Sequence, residues 1–293
     1  MSTTARVYEN SWKNREWIIW PCAFFALICI LYAPILKNLV LDWWTDPDYG
    51  HGFLVPLISA YVLWRQRAKW ISTEFKPSNF GFLVILGGIV LLIGGSLGAE
   101  LFTSRVSLLV LIAGIVLFLA GWKRLRAVSF PLGFLILMIP IPVILYNQIT
   151  FPLQLLASRV ATSWLELVQV PVLRDGNVLI LPNYSLEVVE ACSGVRSLMT
   201  LITLAVAYGY LVEKRRWVRY VLAFLMIPIA IVSNAFRITG TGVLTYHFGP
   251  VAAEGFFHEF SGWIIFLAAL VLMFVSHLIL RQIGNDDRQV AHA

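Results

Sequence analysis

Three side chains able to run thiol chemistry together stand in an otherwise apolar chain. Cys192 lies in Glu190-Ala-Cys-Ser-Gly-Val-Arg-Ser197, Arg237 in Asn234-Ala-Phe-Arg237, and His258 in His258-Glu-Phe-Ser-Gly262-Trp263. A thiol attacks as its thiolate, and a nearby cation or a helix N-terminus lowers its pKa. Ser193-Gly194 is expected to open a helix whose first N–H groups point back towards Cys192. His258 can take the thiol proton and return it to a leaving amine. Arg237 can stabilise the thiolate or a tetrahedral oxyanion by fixed positive charge. Glu190 and Glu259 are candidates to orient the arginine or the histidine. Each residue also has a plain structural reading: a small cysteine at a helix end, an arginine snorkelling to headgroups, a histidine at an interface. Ionisable groups are costly near hydrocarbon, so three converging at one level favour function.

Everything else must position those three. Of 293 residues, 59% are hydrophobic and 13% charged, with a mean hydropathy of +0.80, which indicates an integral membrane protein. Apolar runs near the ~20 residues needed to cross a bilayer predict an all-α, polytopic fold of about eight spans. They fall at Trp17–Leu36, Gly50–Trp64, Phe80–Leu97, Val106–Trp122, Val128–Tyr146, Ser193–Val212, Val218–Arg237 and Gly262–Leu280. The second is short, and the fifth carries Pro131, Pro140 and Pro142. With both termini in the cytoplasm, sixteen of the 22 Lys and Arg residues lie inside and six outside: Lys37, Arg105, Arg159, Arg174, Arg196 and Arg237. That asymmetry sets the orientation. It also accounts for the net charge of +6 without a nucleic-acid partner; anionic lipid suffices. Cys192, Arg237 and His258 then reach one depth, the outer interface, from three different spans.

The organisation expected is one membrane domain, residues 1–293, with cytoplasmic tails at 1–16 and 281–293 and an outer loop at 147–190. The basic N-terminal stretch before the first apolar run lacks an Ala-x-Ala cleavage site and reads as an uncleaved anchor. In the loop, Leu153, Leu156, Val160, Trp164 and Leu167 recur at three- and four-residue steps, predicting an amphipathic helix at the interface. Residues 177–190 read as a short β-hairpin around Pro182-Asn183 that leads to Cys192 with an edge open to an extended peptide. Cys22 and Cys29 are seven apart on one helix, roughly 10 Å along its axis, too far to bond. No spacing indicates a metal site, and no cofactor is expected.

The motif blocks themselves resemble the signature blocks of the exosortases, bacterial members of the exosortase/archaeosortase family. The resemblance rests on Leu186-Glu-Val-Val-Glu-Ala-Cys-Ser-Gly-Val-Arg-Ser-Leu198, Asn234-Ala-Phe-Arg237 and His258-Glu-Phe-Ser-Gly-Trp263, with Tyr49-Gly-His51-Gly-Phe-Leu-Val-Pro-Leu-Ile-Ser59 similar to the family's N-terminal block. It covers about residues 40 to 280. It implies a membrane cysteine protease or transpeptidase of the bacterial inner membrane, linked to protein sorting and exopolysaccharide production. Its clients would carry a C-terminal Pro-Glu-Pro motif, a membrane helix and a basic tail. The resemblance assigns Cys192 as the nucleophile forming an acyl-thioester, with Arg237 and His258 as the other essential positions. Arg196, Arg174 or Arg237 would receive the client's glutamate; Glu190 and His51 are further candidate substrate contacts, and Asp48 belongs to the same N-terminal block. A transporter or polysaccharide-export component is the competing reading. It calls for polar groups at span centres and inverted repeats, whereas these span centres are almost wholly apolar.

Overall fold

Long apolar runs become helices here, with proline, glycine and charge deciding where each stops. A computed structural model describes residues 26–182, 184–188, 194–249 and 256–290, without the side chains of 256–259 and 284–290. Helix α1 is Ala26–Thr45. After a 3-10 segment, Pro47–Phe53, come α2 (Leu54–Arg65), α3 (Arg67–Ser72), α4 (Phe80–Leu97), α5 (Leu101–Ala120) and α6 (Trp122–Phe134). A second 3-10 segment, Leu135–Met138, precedes α7 (Val143–Leu167), strands β1 (Leu173–Asp175), β2 (Val178–Leu181) and β3 (Tyr184–Glu187), then α8 (Val195–Val212), α9 (Arg216–Phe248) and α10 (Phe256–Val290).

The polytopic all-α class expected from the sequence is what is found. Among the described residues, six helices are long and apolar enough to cross a membrane, seven if α6 and α7 form one broken span. The difference from eight lies in α2: its twelve residues extend about 18 Å, short of the ~30 Å hydrocarbon core. The fifth expected span is interrupted at Ile139–Pro142. Pro140 and Pro142 remove backbone donors and push their preceding residues out of the helical region. The first span runs on to Thr45 rather than Leu36, and residues before 26 lie outside the described part. The seventh continues past Arg237 to Phe248.

The chain forms two compact units. One contains α1 and α3–α6, and its centre is the antiparallel pair α4–α5. Gly81, Gly88 and Gly95 recur every seven residues on α4 and meet Phe118, Leu111 and Ser104, also seven apart, on α5. Small residues let backbones approach where lipid supplies no hydrophobic drive between helices. Tyr32 of α1 is fully buried against this pair and hydrogen-bonds the Ser107 hydroxyl at 2.9 Å. Arg105, 3% exposed, pairs with Asp42, and the Trp43 indole donates to the Met138 carbonyl.

The other unit contains α2, α7–α10 and the sheet, and has two cores. Leu198, Leu201 and Ala205 of α8 pack with Leu222, Met226 and Ala230 of α9 and Ala269 and Met273 of α10. Further along α9, Ile238 joins Ala157, Ala161 and Leu165 of α7 and Leu179, Leu181 and Leu186 of the sheet. Thirty-three residues give α9 a length of about 50 Å, which is why it serves both. The second core explains the extension beyond Arg237: Thr241, Gly242 and Thr245 are buried, Gly242 against Leu165 of α7, although they lie past the apolar run. The expected amphipathic helix is the second half of α7. Its small face, Ala157, Ser158 and Ala161, is buried, while Leu156 and Leu167 are exposed. The sheet is antiparallel in the order β1-β2-β3, with the expected hairpin formed by β2 and β3 and Leu181 opposite Tyr184. Strand β1 had no counterpart in the sequence reading.

At the far end of α8, a buried polar relay ties the three helices. Tyr208 Oη lies 3.0 Å from His277 Nδ1, and His277 Nε2 lies 3.2 Å from Glu213 Oε2. The other Glu213 oxygen accepts from the Arg215 backbone N–H. Burial pushes the Glu213 carboxyl up, but these hydrogen bonds outweigh it and hold the group below the ordinary carboxylate value.

Two predictions follow from this packing. A Cβ on Gly81 collides with the Phe118 backbone, whereas one on Gly87 meets nothing within 4 Å. Gly81→Val should therefore lower the unfolding temperature in detergent, by the equivalent of about 1–3 kcal/mol or more, and Gly87→Val should leave it nearly unchanged. The depressed Glu213 carboxyl contributes stability that is complete above its unfolded pKa of about 4.3 and is lost as pH falls through the folded value. Glu213→Gln should lower the neutral-pH unfolding temperature and flatten its decline below about pH 4.

Candidate active site

Gly194 is where the site begins. It precedes α8 with φ +78° and ψ −3°, a left-handed conformation that glycine adopts without a Cβ penalty. Space demands glycine as well: a Cβ there would stand 2.9 Å from Asn234 Cβ and 3.0 Å from Asn234 Cγ. The Cys192 block and the Asn234–Arg237 block are therefore in direct contact. Leu198 N–H bonds the Gly194 carbonyl at 2.8 Å, starting the helix immediately after the Cys192 segment.

Arg237 lies one turn beyond Asn234 on α9 and reaches towards α10. A Cβ on Gly262 would stand 3.7 Å from Arg237 Cζ and 3.7 Å from Nη2, ordinary van der Waals contact, so the guanidinium lies directly beside α10 at this residue. The two residues share a small cleft with Ser197, Ser233 and Asn234 that has room for about one water molecule. His258 precedes Gly262 by four residues, about 6 Å along α10; its backbone is helical and its side chain lies outside the described residues. Cys192 and Glu190 also lie outside the described residues.

The N-terminal block joins through Asp48. Asp46 caps the 3-10 segment by accepting from the Asp48 backbone N–H at 2.9 Å. The Asp48 carboxylate then takes two donors: Arg196 Nε at 2.7 Å and the Tyr146 hydroxyl at 2.5 Å. Asp48 is 12% and Arg196 42% exposed in this pair. His51 is buried, with its ring 6.4 Å from that of Tyr49. Arg174 is on β1 and donates Nη1 to the Gly176 carbonyl at 2.9 Å.

Four blocks distant in sequence thus form a chain of contacts: Asp48 to Arg196, Gly194 to Asn234, Arg237 to Gly262. Sequence reasoning grouped the last three blocks by membrane depth but left Asp48 without a role and did not include Tyr146. Opposite charge on Asp48 and Arg196, at one expected face, was the available signal for the first. Nothing in the spacing pointed to the tyrosine.

Gly194→Ala should be the most disruptive single-methyl change at this site, because it meets both a left-handed backbone and the Asn234 side chain. The expected cost is about 1–3 kcal/mol with loss of activity, while Gly240→Ala, with open space around it, should retain both. Unfolding in detergent, read beside turnover, checks the contrast.

The transmembrane exosortase (Exosortase_EpsH) family model matches residues 43–275. No curated protein and no solved structure matches the chain. A match over most of the chain, spanning all four blocks that meet in the fold, makes this multi-pass membrane protein a member of the transmembrane exosortase family.

Proposed function

We propose that the chain is a cysteine peptidase or transpeptidase of the bacterial inner membrane, acting at its periplasmic face. Its clients are exported proteins ending in a Pro-Glu-Pro motif, a membrane helix and a basic tail, and its work is linked to protein sorting and exopolysaccharide production. The observation that supports this is the contact of Gly194 with Asn234 and of Arg237 with Gly262, which draws the three chemistry-bearing blocks together.

In this reading the Cys192 thiolate attacks the scissile carbonyl carbon and forms a tetrahedral oxyanion. His258, having taken the thiol proton, protonates the leaving amine as the C–N bond breaks. An acyl-thioester remains on Cys192, and water or an acceptor amine attacks it to release the product. Arg237 supplies fixed positive charge to the thiolate and the oxyanion. A client held by its own membrane helix presents its motif at the level of the thiol, and anchoring raises the effective concentration.

Cys192→Ala is expected to leave an anchored client full-length while the protein still inserts; Cys29→Ala should change little. Arg237→Lys should be a poor substitute, because a planar fork is replaced by a point charge. Removing either cation should raise the Cys192 pKa and slow alkylation near neutral pH, about tenfold for each unit of rise. Alkylation rate against pH, measured for wild type, Arg237→Gln and His258→Gln in nanodiscs, is the test. Three superimposable profiles with undiminished client cleavage would remove both residues from the site.

A further inference from the structure

We infer that Arg196 is the specificity-determining residue that receives the carboxylate of the client's glutamate, and that Asp48 and Tyr146 are positioning residues that hold it ready. This rests on the peptidase reading above and extends it to substrate choice. Three arginines are candidates for that carboxylate, and their surroundings separate them. Arg174 turns its Nη1 back onto the Gly176 carbonyl of its own turn. Arg237 is part-buried and lies beside Gly262 in a small cleft shared with Ser197, Ser233 and Asn234. Arg196 is 42% exposed and is held by its inner edge only: Nε donates to Asp48 Oδ1 at 2.7 Å. Among the described residues, its Nη1 and Nη2 have no hydrogen-bond partner.

That arrangement suits a second anion. A guanidinium carries five N–H donors on a rigid plane, and one edge can hold a structural carboxylate while the terminal nitrogens face another. Asp48 is itself fixed, by the Tyr146 hydroxyl on Oδ2 and by its place in the capped 3-10 segment. The long arginine side chain is therefore ordered before substrate arrives, and the entropy of ordering it does not count against binding. Arg196 also belongs to the Cys192 block, four residues after the cysteine in sequence. A lysine cannot hold Asp48 and a second carboxylate with the same plane.

The test uses full-length protein in nanodiscs with two anchored client peptides, one carrying Pro-Glu-Pro and one Pro-Gln-Pro. Cleavage is measured with Cys192 intact and binding on the Cys192→Ala background. The Glu client should be favoured by roughly tenfold to a hundredfold, the scale of a charge-assisted hydrogen bond. Arg196→Gln should abolish that preference in both measurements, and Arg196→Lys should restore only part of it. Asp48→Asn should raise KM for the Glu client several-fold with kcat nearly kept. Tyr146→Phe, which retains the packed ring, should do the same more weakly and decides the positioning role if Asp48→Asn does not fold. A Glu preference that is absent from binding, or that survives Arg196→Gln, overturns the assignment; Arg196 would then face lipid phosphate or solvent. Equal losses on both clients in Tyr146→Phe, and in Asp48→Asn where it folds, overturn positioning. Arg196-dependent binding without cleavage would uphold this inference and reject the peptidase reading.

Discussion

The close approach of Gly194 to Asn234 is the contact on which the site's geometry turns. It lets the start of α8 come within a methyl group's distance of α9, and both helices then run together through a core of Leu198, Leu201, Leu222 and Met226. In an apolar solvent that core gains little from hiding hydrocarbon, because lipid tails are as apolar as leucine. What holds the helices is dispersion between well-fitted surfaces, and fit depends on where a Cβ is missing. The same device appears along the Gly81, Gly88 and Gly95 row of α4. At Gly194 the space serves a polar side chain rather than a second helix backbone.

Polar groups in this unit are concentrated at the two ends of the α8–α9–α10 bundle. At one end Asp48, Arg196 and Tyr146 satisfy one another; at the other, Glu213, His277 and Tyr208 do. Between them the packed residues are apolar or small. Burying an unpaired ionisable group costs several kcal/mol or shifts its protonation, so networks near the ends are the inexpensive way to fix register. The length of α9 makes a further layer possible. Its last turns carry Ile238 into the core shared by α7 and the sheet, which braces the helix just beyond Arg237.

Legibility followed the physics of each segment. Phe80–Leu97 was read to the residue, since an uninterrupted apolar run flanked by Asn79 and Gly98 has one interpretation in lipid. The end of α9 was not, because Thr239, Thr241 and Thr245 close the apolar window yet keep helical geometry, with the Thr239 and Thr245 hydroxyls donating to carbonyls one turn back; only tertiary packing reveals that. The break before α7 was foreshadowed by Pro140 and Pro142. The β2–β3 hairpin was visible as paired β-branched runs, whereas β1, three residues long, is below any periodicity. At the site, residue types pointed to Arg237 beside the His258 block, and the fold brings Gly262 of that block to the guanidinium. Tyr146 is 98 residues from Asp48, and no local pattern encodes so distant a hydrogen bond.

Under the proposed peptidase function, the arginines of this unit divide two tasks. A charge meant to tune a nucleophile must be partly shielded from water, which would screen it; Arg237 is half-buried and lies beside Gly262. A charge meant to recognise a client must be accessible before binding yet ordered enough not to waste the contact. Arg196 meets it by giving one edge to Asp48 while remaining 42% exposed. The two demands are incompatible in a single side chain, because burial that strengthens the first removes the access needed for the second. Separate residues on adjoining helices resolve the conflict. The N-terminal block contributes through α8, whose Arg196 is held by Asp48.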